Sequence, residues 1–257
     1  MEIYFEIVQG VAWIKLNRPE VYNAFNRSMA LQMQACLDEA ANAEEDRVVV
    51  ITGNGKAFCS GQDLAEAISP EGPGLERILS EHYNPIIRKI VELEKPVIAL
   101  VNGVAAGAGA NIALACDIVL AHEQAHFIQA FSKIGLIPDS GGTYFLPRLI
   151  GSQKALALMM TGHKVSATEA ERINMIFKSL PSESYADFTQ QFIQNIATMP
   201  TRALALCKKA IELSWYQSLE EQLNTELQLQ VEAGNTEDFK EGVKAFLEKR
   251  PPNFKGK

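Results

Sequence analysis

The chain has few cysteines and fewer bases than acids, and each shortage removes a class of protein. Four cysteines in 257 residues, Cys36, Cys59, Cys116 and Cys207, stand far apart with no CxxC spacing. Neither a zinc ribbon nor a small disulfide scaffold fits, and reduced thiols in the cytoplasm are the expectation. Lys and Arg number 24 against 31 Asp and Glu, a formal net charge of −7. Nucleic acid and anionic membrane are excluded as partners, because binding their phosphates takes clustered bases. The opening Met1-Glu2-Ile3-Tyr4-Phe5-Glu6 lacks the bases and apolar core of a signal peptide. Residues 96–116 carry no charge, but their middle is Gly and Ala and they include Asn102 and Asn111. A buried strand followed by a buried helix explains this run better than a membrane span. With 47% hydrophobic and 21% charged residues, the chain is long enough for one large core, or for a core with an appendage.

β-Branched and aromatic residues at Ile3 to Val8 and Val11 to Leu16 flank Gln9-Gly10 and predict a hairpin. Ser28 is the expected cap of an amphipathic helix running to about Glu45. Three apolar runs follow, Val48 to Ile51, Pro96 to Val101 and Asp117 to Ala121, each read as a strand buried on both faces. Strands alternating with helices define an α/β core over residues 1–195. Beyond it, residues 196–257 read as an all-helical region, with N-cap spacings at Ser218/Glu221 and Asn235/Asp238. Its last stretch, Lys240 to Lys257, holds six bases against two acids, a local excess of positive charge.

His122-Glu123-Gln124-Ala125-His126 matches HExxH, but it follows a strand-like DIVLA, so a surface turn is expected and not a zinc helix. Gly107-Ala108-Gly109 lacks the third glycine of a dinucleotide fingerprint. It still presents free backbone N–H groups at a helix start, which serves either to hold an oxyanion or to pack strand against helix. A second such turn lies at Ser60-Gly61-Gln62, and two separate donors are what a developing enolate oxygen needs.

Three blocks, Ala57-Phe-Cys-Ser-Gly-Gln-Asp63, Val101-Asn-Gly-Val-Ala-Ala-Gly-Ala-Gly109 and Gly135-Leu-Ile-Pro-Asp-Ser-Gly-Gly-Thr143, resemble the signature segments of the enoyl-CoA hydratase/isomerase (crotonase) family. The likeness extends through Lys240 to Arg250 and so covers nearly the whole chain. It implies the crotonase-like α/β fold, repeated ββα units followed by a C-terminal helical region for trimerisation and coenzyme A contacts. It assigns the oxyanion hole to the backbone N–H groups of Gln62 and Ala108. Coenzyme A is expected along Lys56, Ala57, Ser60, Asp63 and Leu64, with Phe246 and Lys249 at its phosphate end. A homotrimer or a hexamer of paired trimers is implied, with no metal or redox cofactor, coenzyme A being part of the substrate.

The positions matching the two hydratase glutamates are Asn111 and Phe131, neither of which exchanges protons. One acid remains at a matching position, Asp139, where some isomerases of the family carry their catalytic aspartate. Outside that context an Asp before Ser-Gly-Gly reads as a helix N-cap. A single carboxylate opposite two N–H donors suits proton transfer, not water addition. Phe131 and Asn111 are therefore read as acyl pocket, with Tyr83, Phe145 and Leu146 as further wall candidates. Segments His82 to Ile90, Phe131 to Asp139 and Pro251 to Lys257 are similar to family members that convert ring-1,2-epoxyphenylacetyl-CoA to an oxepin thioester in phenylacetate catabolism. The competing readings are a Δ3,Δ2-enoyl-CoA isomerase or a hydratase of fatty-acid β-oxidation, and a non-catalytic acyl-CoA binder.

Overall fold

Two consecutive residues with positive φ, Gln9 at 52° and Gly10 at 78°, make the tight turn that pairs β1 (Ile3–Val8) antiparallel with β2 (Val11–Leu16) in a computed structural model describing all 257 residues. Both residues being left-handed is what matches the twist of the strands on either side. The apolar runs enter as β3 (Val48–Gly53), β5 (Val97–Val101) and β7 (Ile118–His122), parallel neighbours in a six-stranded sheet ordered β1-β2-β3-β5-β7-β10, with β10 at Lys178–Leu180. All five residues of β5 are buried, as expected for a strand covered on both faces.

After each of these three strands the chain adds a short one: β4 (Ala57–Cys59), β6 (Val104–Ala106) and β8 (His126–Ile128). With β9 (Lys164–Ser166) they form a second sheet, ordered β4-β6-β8-β9. This repetition is the ββα pattern of the crotonase fold. It delivers the ends of β4 and β6 side by side, which is what the site requires. The HExxH histidines lie on β7 and β8 with a turn between them, and no cluster of three His, Cys, Asp or Glu side chains is placed to hold a metal ion.

The amphipathic helix is α1 (Arg27–Asn42), burying Met29, Met33, Leu37 and Ala40 along one stripe. Its cap is Asn26 and not Ser28: the Asn26 carboxamide accepts from the Met29 N–H, two residues earlier than the serine allowed. Between β4 and β5 the chain runs through α2 (Leu64–Ala67), α3 (Gly74–Arg77), a π-helical turn at Ile78–Tyr83 and α4 (Asn84–Glu92). The uncharged run becomes β5, β6 and α5 (Ala108–Ala115), whose eight residues are all buried. Small residues let it pack that closely. No helix is long and apolar enough to cross a membrane.

Further along lie α6 (Gly142–Ile150), α7 (Ser152–Thr161), α8 (Ala167–Arg172) and α9 (Ser182–Ala197), the last packed back on the large sheet. Three helices complete the chain, α10 (Thr201–Ser214), α11 (Leu219–Gly234) and α12 (Glu237–Glu248). The capping box at Ser218/Glu221 is present in full. The second N-cap differs from expectation, since Thr236 caps α12 through the Phe239 N–H. Asp238 instead accepts from the Lys255 and Gly256 N–H groups at 2.6 and 2.7 Å, tying down the C-terminal strap. The basic stretch is less free than its charge suggests, because Arg250 is paired with both Glu241 and Glu248.

Candidate active site

The chain crosses from β4 into α2 through Gly61, at φ 98°, a value open to glycine and strained for other residues. A parallel bridge with Phe25 fixes the crossing: the Phe25 N–H donates to the Gly61 carbonyl at 2.7 Å, and the Asp63 N–H donates to the Phe25 carbonyl at 2.8 Å. Alternation along the strand then turns the Gln62 N–H the other way, and it finds no acceptor in the protein. The partner turn is built by Gly107, at φ 53° and ψ −128°, which opens α5 with no side-chain cap. Ala108 is thus the first residue of a helix whose leading N–H groups are unpaired. The two turns abut, and a Cβ on Gly61 would stand 3.5 Å from the Ala108 nitrogen and 3.0 Å from the Ala106 carbonyl oxygen. Two free main-chain donors at one point, one on the positive end of a buried helix, form a receptor for a negatively charged oxygen.

Asp139 sits in the turn before α6, followed by Ser140 and Gly141 at φ 51° and 74°. Gly141 is the helix N-cap and no side chain caps it, so the Asp139 carboxylate is not spent on capping. Ser140 Oγ donates to its Oδ1 at 2.8 Å. Burial is the larger influence and pushes the Asp139 carboxyl up to about 6, against the hydrogen bonds that favour the ion. A carboxyl poised there exchanges protons near neutrality.

Asn111 has a different place from the acyl wall expected of it. It is wholly buried, and both ends of its amide are used within the protein. Nδ2 donates to the Asp139 carbonyl at 2.8 Å, and Oδ1 accepts from Gln129 Nε2 at 2.8 Å. Asn111 therefore holds the acid from behind. The gap between them is tight, since a Cβ on Gly142 would meet Asn111 Nδ2 at 2.3 Å.

Aromatic rings border this turn. The Phe131 ring lies over the oxyanion turn, 3.8 Å from where a Gly107 Cβ would be. Phe145 and Ile87 both reach Gly141, and Phe145 meets Trp215 at 6.5 Å between ring centres. Tyr83 is fully buried against Phe25, with 5.9 Å between rings. Leu146 is buried in the core.

Of the residues expected along coenzyme A, Lys56 and Leu64 are exposed, Ser60 and Asp63 half-buried and Ala57 buried. The Asp63 carboxylate already has two tasks, capping α2 through the Ala65 N–H and pairing with Arg18 at 3.0 Å. Phe246 is 83% exposed and Lys249 ends α12 in the left-handed conformation. No hydrogen bond or ion pair joins either one to the Lys56–Leu64 segment. Two further residues shape the site without an obvious mark in the sequence. Buried Asn23 donates to the carbonyls of Asn54, Ala57 and Phe58, and both carboxylate oxygens of Glu66 accept from the Arg27 N–H, anchoring α2 to α1.

Paired parallel strands that end in two turns with free main-chain N–H groups, and an acid tied through Asn111 to the helix that one of those turns opens, make up the candidate site. The enoyl-CoA hydratase/isomerase family model matches residues 6–257, and the chain belongs to that family of enzymes. It is 44% identical over 258 residues to a 1,2-epoxyphenylacetyl-CoA isomerase of Escherichia coli K12, covering 99% of this chain and 98% of the relative. It is also 45% identical over 255 residues, with the same coverage, to a Rhodobacter capsulatus protein described as a probable enoyl-CoA hydratase. Among solved structures, an enoyl-CoA hydratase from Bacillus anthracis superposes with a TM-score of 0.95 at 32% identity, over the full length of both chains.

Proposed function

We propose that the chain is an isomerase of coenzyme A thioesters that works by enolate chemistry with one carboxylate. The observation that carries this is Asp139, freed from helix capping and raised toward neutrality, while the other two acid positions hold Asn111 and Phe131. The Gln62 and Ala108 N–H groups take the thioester oxygen. Asp139 removes a proton from the α carbon, the enolate charge rests in the oxyanion hole, and the same carboxyl returns the proton at the γ carbon. This shift consumes no water and transfers no electrons, so it asks for no redox group.

For the acyl group we favour ring-1,2-epoxyphenylacetyl, whose conversion to an oxepin thioester contains this α-to-γ proton shift. Its support is the aromatic border formed by Phe131, Tyr83 and Phe145, together with the Escherichia coli relative. Hydration is the second reading, favoured by the Rhodobacter capsulatus relative. A panel of aryl-epoxide, 3-enoyl and 2-enoyl CoA thioesters, followed for product and for deuterium uptake at the α and γ carbons, separates the readings. Water addition to the 2-enoyl thioester with no γ exchange would overturn the isomerase. Binding with no exchange at either carbon would make the chain a non-catalytic acyl-CoA binder.

We further propose a trimer, or two paired trimers, built through the helical region. Leu219, Leu223, Leu227 and Val231 recur along one exposed face of α11, and α12 adds exposed Phe239, Val243 and Phe246. An apolar face this large on a single chain calls for a partner. In such an assembly Phe246 and Lys249 reach coenzyme A across a subunit boundary.

A further inference from the structure

We infer that the Tyr83 hydroxyl donates a hydrogen bond to a ring oxygen on the acyl group, making Tyr83 the residue that distinguishes an oxygen-bearing ring from a hydrocarbon one. The inference rests on the acyl-thioester reading above, though not on which reaction follows.

Tyr83 is completely buried, and its hydroxyl has no hydrogen-bond partner in the protein. Such a group is costly to keep unless something else supplies the missing acceptor. Replacing Tyr by Phe would remove the cost and keep the ring packed on Phe25, so the hydroxyl is not explained by packing.

The local backbone explains where it points. Tyr83 ends the π-helical turn Ile78–Tyr83, an irregularity that shifts the face presented by the following helix and is frequent at functional sites. Its neighbour His82 is taken up by Arg27, with 3.1 Å between the ring Nε2 and the guanidinium. Tyr83 itself shares a face with Ile87, one turn on. Ile87 touches the Gly141 position, two residues beyond Asp139, which puts the phenol on the side of α4 that faces the catalytic turn. The Tyr83 ring also packs on Phe25, the residue whose backbone bonds to Gly61 and Asp63 fix the first turn. No hydrogen bond joins Tyr83 to Asp139 or to any other residue, so an acceptor carried by a bound acyl group is what would satisfy the hydroxyl. Burial holds the phenol protonated, well above the ordinary tyrosine range, and so it acts as a donor and not as a base.

The chemistry of the acyl group fits that position. In an epoxidised or oxepin ring the oxygen is bonded to the β carbon, one bond from the α carbon that Asp139 deprotonates. A donor beside Asp139 therefore meets it. A hydrocarbon chain offers only C–H at that point and leaves the hydroxyl unpaired, and a site built to hydrogen-bond a ligand rejects an analogue that lacks the partner.

The test uses two non-reacting ligands of nearly equal shape, tetrahydropyran-2-ylacetyl-CoA and cyclohexylacetyl-CoA, titrated calorimetrically into the wild-type protein and into Tyr83→Phe. The wild type is expected to prefer the oxygen ring by roughly 5–10-fold. Tyr83→Phe is expected to erase the preference by weakening only the oxygen ring, with a Tm equal to or above wild type. A preference that survives in the variant, or an equal loss for both ligands, overturns the assignment. Equal binding of both by the wild type also overturns it while leaving the acyl-thioester reading intact. Binding of neither ligand would overturn that reading itself.

Discussion

Asn111 holds Asp139 by the main chain, its amide donating to the Asp139 carbonyl at 2.8 Å while Gln129 steadies the other end of the same amide. The carboxylate is thereby placed without being touched, and its proton affinity is left to burial and to Ser140. Positioning and acidity are separately controlled, and each is open to its own measurement.

Asp139→Asn is expected to remove most turnover, on the order of 10²–10⁴-fold, with thioester affinity changed little, since a proton shuttle contributes about that much. Stopped assays beside calorimetric titration check it. In the wild type, kcat/KM should rise with pH through about 6 as the Asp139 carboxylate forms. Turnover near wild type in the variant would remove Asp139 from the mechanism.

The same variant should gain stability, in one pH range only. The Asp139 carboxyl is raised in the folded protein to about 6, whereas an unfolded aspartate titrates near ~3.9. Ionising it burdens the folded state: the burden is absent below pH ~4, grows through the interval and is complete above about 7, at roughly 1–3 kcal/mol. Urea unfolding should show Asp139→Asn more stable than wild type at pH 8 and equal to it at pH 4.

Asn111→Leu should lower kcat by roughly 10–100-fold and leave KM within about threefold, because a positioning contact is lost and no thioester contact is. Stability should fall by about 1–3 kcal/mol, since the Gln129 amide and the Asp139 carbonyl lose their partner in the interior. Comparable falls in kcat/KM arising from KM alone would contradict the role.

A methyl at Gly109 has nowhere to go, being 2.4 Å from the Cys59 carbonyl oxygen and 2.7 Å from its Sγ. Gly109→Ala must part the two oxyanion turns, at a cost of about 1–3 kcal/mol in folding. The expected loss in kcat is ~10²–10³-fold, the scale of a misplaced oxyanion donor. Thermal melts and steady-state kinetics read the two effects independently.

Leu223→Glu combined with Leu227→Glu places charge on the exposed face of α11 and should reduce the proposed trimer to monomers, seen as a threefold lower mass by light scattering. Should Phe246 and Lys249 act across the subunit boundary, coenzyme A affinity falls together with the mass.

How legible all this was depends on the scale of the feature. The strands were plain because Val48 to Ile51 and Val97 to Val101 are apolar without alternation, and only double-sided burial tolerates that. The two oxyanion turns were visible as glycines after strands, since few other residues adopt the backbone required at Gly61 and Gly107. Caps shifted by one or two residues, from Ser28 to Asn26 and from Asn235 to Thr236, because neighbouring polar residues compete and tertiary packing decides between them. The tie from Asn111 to Asp139 spans 28 positions and leaves no periodic trace. The turn that aims Tyr83 is likewise hidden, because the π-helical residues Ile78 to Tyr83 carry an ordinary helical composition.

The proposed oxyanion receptor has one consequence for how the site tolerates substitution. Its donors are the peptide groups of Gln62 and Ala108, which exchange of either side chain would leave in place. The charge-bearing part of the proposed site is thus beyond the reach of most single substitutions, whereas the proposed acid depends on the one side chain of Asp139. A single change at Asp139 would remove the proposed proton carrier and leave the peptide donors standing, so holding the thioester and transforming it are separable by one substitution.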